Sequence, residues 1–241
     1  MSDYRLTPIG YITSCFPEKF GIPRQPLLAP SAKAYLSLIP PFNDPDTVAG
    51  LESVSHLWLH FIFHQHTDKP WKPKVRPPRL GGNQKLGVFA TRSSFRPNHL
   101  GLSVVKLEGI VIDKQEVVLQ LSGVDLLDGT PIVDIKPYVP YADSIASAVN
   151  DIADVPPEHV PVSFSQQAAH VIKRYYQEKS IDLHSLIVEV LQQDPRPAYQ
   201  AAKSSKELGR VYGMSLYDCN IQWRYDGHKG LEVIEVLQQS V

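Results

Sequence analysis

The stretch from Ser55 to His66, SHLWLHFIFHQH, is the sequence feature that most constrains the fold of this chain. Leucine or phenylalanine occupies every second position from residue 57 to residue 63, while histidine, tryptophan and isoleucine fill the positions between them. Successive side chains of a β-strand point to opposite faces of a sheet. The alternation therefore predicts a strand with one apolar face toward a core and one mixed face.

The same stretch contains a possible metal motif, because His56, His60 and His64 are spaced four residues apart. On a helix these side chains would share one face and could bind an ion. On the predicted strand, successive members of the series lie about 13 Å apart, at roughly 3.3 Å per residue. We therefore expect no metal site here. His64 and Gln65, at the end of the strand, are better placed for a small ligand.

Short strand-like segments with turn residues between them fill the first 141 residues. They lie at residues 7–14, 34–40, 86–90, 100–113 and 116–137, with turn signals at Asp113-Lys114 and Asp128-Gly129. Almost no helical periodicity interrupts them. The pattern is typical of a β-barrel or sandwich. We predict a mainly β protein whose N-terminal domain, residues 1–141, is a barrel.

The periodicity changes after an Ala-, Asp- and Pro-rich linker that we place at residues 142–162. Apolar residues between Leu183 and Leu191 recur with helical spacing, and Asp182 occupies the N-cap position. The helix is predicted to stop at Asp194, because Pro195 and Pro197 follow. Strand-like segments follow at 211–216, 219–225 and 231–237. Residues 163–241 are therefore predicted to form a smaller C-terminal α+β domain.

The stretch from Arg76 to Ser103 concentrates arginine, glycine and proline around the apolar run at residues 86–90, which is predicted to be a short buried strand. From residue 69 to residue 107 there are nine Lys or Arg and no Asp or Glu, whereas residues 108–158 hold ten Asp or Glu and two Lys. The net charge of the whole chain is only −1. A local basic face suits phosphate groups. The stretch favours an anion or nucleotide site over a plain basic surface loop.

Composition excludes several classes of protein. No window approaches 18 apolar residues, so no membrane span is expected. The N-terminus lacks a signal-peptide pattern, and Cys15 and Cys219 follow no metal-ligand spacing. We expect a cytoplasmic protein with two reduced, buried thiols.

Several motifs resemble the TsaA-like family, also called TrmO. Residues 89–98, FATRSSFRPN, followed by LGLS at 100–103, resemble its signature, and residues 50–58, 128–131 and 194–199 resemble stretches of its bacterial members. The resemblance implies a β-barrel methyltransferase that uses S-adenosylmethionine. Its implied substrate is tRNA, methylated on N6 of threonylcarbamoyl-adenosine next to the anticodon. It also implies a homodimer with cofactor sites close to the subunit interface. The family's usual Pro-Ile is here His99-Leu100, which we expect to alter a turn.

The resemblance also implies a set of cofactor-binding residues: Pro23, Arg24, Gln25, His64, Gln65, Arg92, Leu102, Asp125, Leu126, Leu127 and Asp128. An arginine such as Arg92 could hold the carboxylate of the cofactor. Asp125 or Asp128 could accept hydrogen bonds from ribose hydroxyls or the amino group. Backbone groups of Leu126 and Leu127 could contact adenine.

Other residues are candidates for contacting the RNA or for removing the proton from the target nitrogen. Phosphate contacts are predicted at Arg76, Arg79, Lys85 and Arg96, with Arg196 as a weaker candidate. The catalytic base is not identified by the sequence; Asp194 and Tyr199 are candidates if the C-terminal domain closes over the site. Two alternatives stay open at this point: an RNA-binding barrel without catalysis, and a metal-dependent hydrolase that uses the histidine series.

Overall fold

The structure is a computed structural model that describes residues 4–77, 84–114, 116–196, 209–227 and 230–239. Two sheets account for most of the regular elements, and a small two-stranded sheet accompanies them. The strands are β1 (Gly10–Ser14), β2 (Lys33–Leu38), β3 (His56–Ile62), β4 (Lys74–Val75), β5 (Leu86–Gly87), β6 (Leu100–Asp113), β7 (Glu116–Ser122), β8 (Pro131–Pro137), β9 (Val162–Phe164), β10 (Val211–Leu216), β11 (Cys219–Tyr225) and β12 (Leu231–Gln238). The helices are α1 (Pro140–Asp143), α2 (Gln166–Lys179) and α3 (Leu183–Leu191).

Six strands form a closed antiparallel barrel in the order β1-β2-β7-β6-β3-β8, which confirms the predicted barrel fold. The alternation in β3 is observed as predicted: Leu57, Leu59 and Phe61 are buried, whereas the residues between them are half-buried. Gly101 on β6 pairs with Phe61, and a Cβ at this position would overlap the phenylalanine ring. Glycine is required here because the ring occupies the space of a side chain.

The C-terminal part contains a four-stranded sheet in the order β10-β11-β12-β9, with α2 packed on β12. Ser165 caps α2 and Asp182 caps α3, each through its side-chain oxygen. The second cap agrees with the sequence prediction. Helix α3 ends at Leu191, three residues before the predicted stop at Asp194.

The apolar run at residues 86–90 departs from its prediction as a buried strand. Only Leu86 and Gly87 are extended, and residues 88–90 turn in a single 3-10 helix. Val88 is buried, but Phe89 is 75% exposed. The short β4–β5 pairing cannot bury both faces of the run, because a two-stranded ribbon has no second layer to cover it.

The connection between β1 and β2 packs against the C-terminal part of the chain. Glu189 on α3 accepts hydrogen bonds from the backbone N–H and the hydroxyl of Ser31, at 2.7 and 2.9 Å. Gln193 donates to the carbonyl of Leu28, and Tyr217 N–H donates to the carbonyl of Cys15. One continuous apolar core extends from the barrel into the C-terminal sheet. The two parts are therefore packed together through this connection.

The buried thiols expected from the sequence are observed. Cys15 and Cys219 are both buried and free, and burial raises the pKa of the Cys15 thiol to about 12. Within the described ranges, no helix has the length and hydropathy needed to cross a membrane.

We expect Glu189→Ala to lower the free energy of unfolding by about 1.5–3 kcal/mol, because two hydrogen bonds to a charged, partly buried acceptor are lost. Urea unfolding would measure the change. The matched control is Glu178→Ala on α2, whose carboxylate is half-exposed and lies 3.7 Å from Arg174. That variant should change stability by less than about 0.5 kcal/mol. Equal effects of the two substitutions would contradict the assigned role of the α3 contact.

Candidate active site at one end of the barrel

A cavity of about 550 Å³ opens at one end of the barrel. Its position follows from the antiparallel order, because the ends of β1, β7 and β3 and the beginnings of β2, β8 and β6 all lie at this end. The three connections found here are residues 15–32, 63–99 and 123–130. The tight β6–β7 turn lies at the opposite end.

The cavity collects most of the residues expected to bind a cofactor. The lining includes Pro23, Arg24, Gln25, His64, Gln65, Arg92, Leu102, Asp125, Leu126 and Leu127. They come from all three connections and from β6, so residues from about 20 to about 130 meet in one hollow. Neither the number of these residues nor their spacing in the sequence indicates that they lie close together in space.

Arg92 is held at the rim by a neighbouring polar side chain. Its Nη1 atom donates a hydrogen bond of 2.7 Å to Oε1 of Gln25. Both side chains are exposed, so the guanidinium keeps donors that can reach a ligand. Arginine presents five donors in a rigid fork suited to a carboxylate.

Asp125 supplies a negative charge in the wall. Its carboxylate accepts a hydrogen bond of 2.5 Å from Ser103 Oγ, on β6. Burial of the carboxyl group raises its pKa to about 6, although the Ser103 hydrogen bond and the charge of Arg92 act in the opposite direction. At pH 7 the group is mostly ionised. The lining of the cavity therefore contains a carboxyl group as well as a guanidinium.

Asp128 is the one predicted cofactor residue outside this lining. Its Oδ1 accepts a hydrogen bond of 2.9 Å from Ser14 N–H, at the end of β1. Its own backbone N–H donates to the carbonyl of Phe16. These contacts favour a structural role, in which Asp128 holds the β7–β8 connection against the beginning of the β1–β2 connection.

The histidines at the rim are biased toward their neutral forms. Burial lowers the pKa of His64, and the nearby charge of Lys19 lowers it further. The pKa of His66 is lowered by the same two causes and also by the charge of Lys69. The rim is therefore a cationic environment, supplied by lysines from two different connections.

The predicted phosphate contacts lie in different surroundings. Arg76 and Lys85 are exposed beside the β4–β5 ribbon, as phosphate contacts require. Arg96 uses Nη1 to donate to the carbonyls of Thr91 and Val88, at 2.6 and 3.3 Å, while it also lines the cavity. Its guanidinium therefore holds the turn at 88–91. Arg79 lies outside the described residues.

The C-terminal motif has a structural arrangement that sequence reasoning missed. Arg196 is only 4% exposed, and its Nε and Nη2 atoms each lie 2.7 Å from the carboxylate of Asp194. Arg24 Nη2 donates to the carbonyl of Arg196 at 3.4 Å. A buried, paired arginine is poorly placed for a phosphate, and both carboxylate oxygens of Asp194 are engaged by that arginine. Tyr199 lies outside the described residues.

The histidine series does not form a metal centre in the described ranges, where no group of three His, Cys, Asp or Glu side chains could hold an ion. His56 and His60 lie on β3, whereas His64 begins the following turn. His60 lines the cavity and its Nδ1 lies 4.0 Å from Asp134.

Several lining residues were not predicted, among them Lys19, His60, Thr91 and Ser94. Thr91 and Ser94 lie within the signature stretch and His60 within the histidine series, but neither pattern indicated that these residues line a cavity. Ser103 could have been identified from the sequence, because it is a polar residue at an inward-facing position in the alternation of β6. The structure shows that it is fully buried. His99 has φ +51°, which proline cannot adopt, so the departure from the family pattern does fall at a turn.

Comparison with known proteins gives consistent results for both parts of the chain. The family model described as the tRNA-methyltransferase O N-terminal domain matches residues 11–144, and that described as the TrmO C-terminal domain matches residues 157–239. A Pseudomonas aeruginosa protein named as a putative S-adenosylmethionine-dependent methyltransferase, RcsF, is 52% identical over 233 residues, covering 97% of each chain.

Two further relatives have more specific descriptions. The Escherichia coli tRNA (adenine(37)-N6)-methyltransferase is 48% identical over 229 residues, covering 93% of this chain and 94% of the relative. A crystal structure of TrmO from Pseudomonas aeruginosa superposes with a TM-score of 0.82 at 45% identity, covering 98% of this chain and 99% of the other. Because family models match both parts of the chain and relatives about half identical to it span nearly its whole length, this protein belongs to the TrmO family.

Proposed function

We propose that this protein is an S-adenosylmethionine-dependent tRNA methyltransferase that modifies N6 of an adenosine next to the anticodon. The single observation that carries this proposal is the cavity, which gathers the family's expected cofactor residues at one end of the barrel. Relatives matched over nearly their whole length carry the corresponding names. The finer proposal is that the target adenosine already bears the threonylcarbamoyl group.

The chemistry of the lining fits the methyl donor. S-adenosylmethionine combines an amino-acid end, ribose hydroxyls and adenine with a sulfonium centre, and when bound it supplies an electrophilic methyl group. A cavity of about 550 Å³ is within the range of small-molecule sites. Arg92 would hold the carboxylate, Asp125 would accept from the amino or hydroxyl groups, and the backbone of Leu126 and Leu127 would contact adenine.

The chain's own residues contribute chiefly by positioning. The lone pair of the target nitrogen is delocalised into the purine and the carbamoyl group, so the nitrogen becomes nucleophilic only as its proton is lost or shared. Alignment within a walled cavity can supply most of the acceleration, and a general base adds about 10²–10⁴-fold. Of the two candidates for the base, Tyr199 stays open, whereas Asp194 is engaged by Arg196.

We propose a homodimer in the cytoplasm, with a barrel domain at residues 1–141, a linker at 142–162 and a C-terminal domain at 163–241. In support, the segment from residue 144 to residue 161 contains no helix or strand. Light scattering of the purified protein would test the dimer.

Neither alternative function is favoured. A metal-dependent hydrolase would need a ligand cluster, and none is found in the part of the chain that the structure describes. A silent RNA-binding barrel gives no reason for a cavity lined by both Arg92 and Asp125. Calorimetry with S-adenosylmethionine separates the silent barrel from the enzyme, because only the enzyme binds the cofactor.

The direct test is methylation in vitro. Purified protein, S-adenosylmethionine and tRNA from cells lacking this protein should yield a methylated threonylcarbamoyl-adenosine, detected by mass spectrometry of the nucleosides. tRNA without the threonylcarbamoyl group is the control substrate and should react poorly. Cofactor binding without any methylated nucleoside would contradict the proposal.

In calorimetry with S-adenosylmethionine, Arg92→Ala should weaken cofactor affinity by about 10- to 100-fold, because a charge-assisted hydrogen bond contributes roughly 1.5–3 kcal/mol. Arg224→Ala is the matched control, since Arg224 forms an exposed ion pair with Glu232 on the C-terminal sheet. Normal cofactor affinity in Arg92→Ala would remove Arg92 from the site.

Asp125→Asn should stabilise the free protein at pH 7.5 by on the order of 1–3 kcal/mol while weakening cofactor affinity. The folded-state pKa of Asp125 is raised to about 6, so the ionised carboxyl destabilises the fold above that pH. The cost declines as the pH falls through 6 and is absent below about 4, so the advantage of the variant should disappear there. Urea unfolding at several pH values would measure it.

The exposed Asp154→Asn is the control for this experiment. It should show no comparable pH-dependent difference from the unsubstituted protein. A destabilised Asp125→Asn at pH 7.5 would show that the carboxylate is stabilised, rather than strained, by its surroundings.

Binding of tRNA should weaken steeply with salt, and the double variant Arg76→Ala, Lys85→Ala should reduce the slope of log K against log salt by about 1.4, if each residue contacts one phosphate of a single-stranded loop. The double variant Lys173→Ala, Arg174→Ala removes the same charge from exposed positions of α2. An equal change of slope in both double variants would indicate a general charge effect instead of local contacts.

A further inference from the structure

Phe89 is an exposed aromatic side chain in a position where the sequence predicts a buried one. Its side chain is 75% exposed, whereas the adjacent Val88 is 2% exposed. Exposure of a large aromatic ring is unfavourable in water. The local fold does not explain the exposure of Phe89, because the turn is anchored by the buried Val88 and not by the phenylalanine ring.

The backbone that carries Phe89 is held firmly. Thr91 donates to the carbonyl of Val88 through both its N–H and its hydroxyl, at 3.1 and 2.9 Å. Arg96 Nη1 adds bonds to the carbonyls of Thr91 and Val88. Val88 N–H donates to the carbonyl of Pro73, which ties the turn to the β4–β5 ribbon. The ring is therefore displayed by a rigid turn.

The turn that carries Phe89 lies next to the cavity. Thr91 and Arg92, which follow it directly, line the cavity, and Phe89 lies outside that lining. The guanidinium of Arg96 lies 5.8 Å from the centre of the Phe89 ring. A cation near the ring and an open ring face together form the kind of surface on which a planar base stacks.

The charge of the segment favours a nucleic acid as the partner. Residues 69–107 hold nine Lys or Arg and no Asp or Glu. Trp71, which is 51% exposed, lies in the same unit, since Lys72 N–H donates to the carbonyl of Phe95. Aromatic rings among cations are characteristic of proteins that bind single-stranded RNA, where unpaired bases stack on side chains.

We propose that Phe89 is a stacking platform for an unpaired nucleobase of the tRNA anticodon loop, outside the cavity that is proposed to bind the cofactor. The inference rests on the proposed function and adds a contact that determines how the loop sits at the rim. Arg96 fixes the turn and stands beside the ring. The main competing partner for an exposed ring is a second copy of the chain.

The test measures binding of an anticodon stem-loop RNA carrying threonylcarbamoyl-adenosine to the full-length protein and its variants. Phe89→Ala should weaken RNA binding by about 10- to 100-fold, with unchanged S-adenosylmethionine affinity and unchanged thermal stability. Phe89→Trp should retain binding, because it keeps a flat ring. Tyr141→Ala, which removes a 91% exposed aromatic ring from α1, is the matched control and should behave like the unsubstituted protein.

A second measurement identifies the base. RNAs with an abasic site at each loop position in turn should include one that loses affinity for the unsubstituted protein by the same factor as Phe89→Ala. That RNA should lose little more when the variant is used, because the same contact has been removed from both sides.

Each remaining outcome is decisive. Unchanged RNA binding by Phe89→Ala overturns the inference, as does failure of Phe89→Trp to restore binding. A shift of the variant to a smaller oligomer, seen by light scattering, would assign the ring to a protein interface and likewise overturn it. If the unsubstituted protein methylates tRNA while Phe89→Ala binds RNA normally, only the stacking contact fails; if the unsubstituted protein does not methylate, the proposed function fails first.

Discussion

Closure of the six-stranded antiparallel barrel is the constraint on which the rest of the structure depends. The hydrogen bonds between β1 and β8 complete the cylinder, and the alternating strand directions then fix which connections meet at each end. Residues 15–32, 63–99 and 123–130 are thereby brought to one end, although they are distant in sequence. These connections extend from an apolar barrel wall, in which the Phe61 ring packs against Gly101. The cavity is a consequence of barrel topology and not of any single motif.

The C-terminal part of the chain acts on this end of the barrel through the β1–β2 connection. Glu189 binds Ser31, and the carbonyl of Arg196 accepts from Arg24, which lines the cavity. Asp194 and Arg196 form a close ion pair behind that contact. The C-terminal motif therefore supports a cavity-lining segment from outside. This arrangement explains how residues far from the barrel in sequence could influence ligand binding without contacting the ligand.

Sequence patterns predicted the elements better than the exposure of individual side chains. The alternation in β3 identified Leu57 and Leu59 as core residues, and the cap of α3 was correctly placed at Asp182. The same reasoning failed at Phe89, since an apolar run predicts burial only when a second layer covers it. It also predicted a phosphate contact for Arg96, and it did not foresee that Nη1 of this side chain donates to two carbonyl oxygens of a neighbouring turn. A charged group can be satisfied by carbonyl oxygens of its own chain, and no pattern in the sequence distinguishes the two cases.

The sequence by itself determined the mainly β architecture, the change to helices after residue 162, the basic character of residues 69–107 and, through its motifs, the family. These properties depend on local spacing and on residue type, which a linear pattern records. Only the tertiary structure decided that Arg92 meets Gln25, that Asp125 is enclosed with Ser103, and that Arg196 is buried against Asp194. Those pairings join distant segments or depend on burial, so they exist only after the barrel has closed and the C-terminal sheet has packed against its loops.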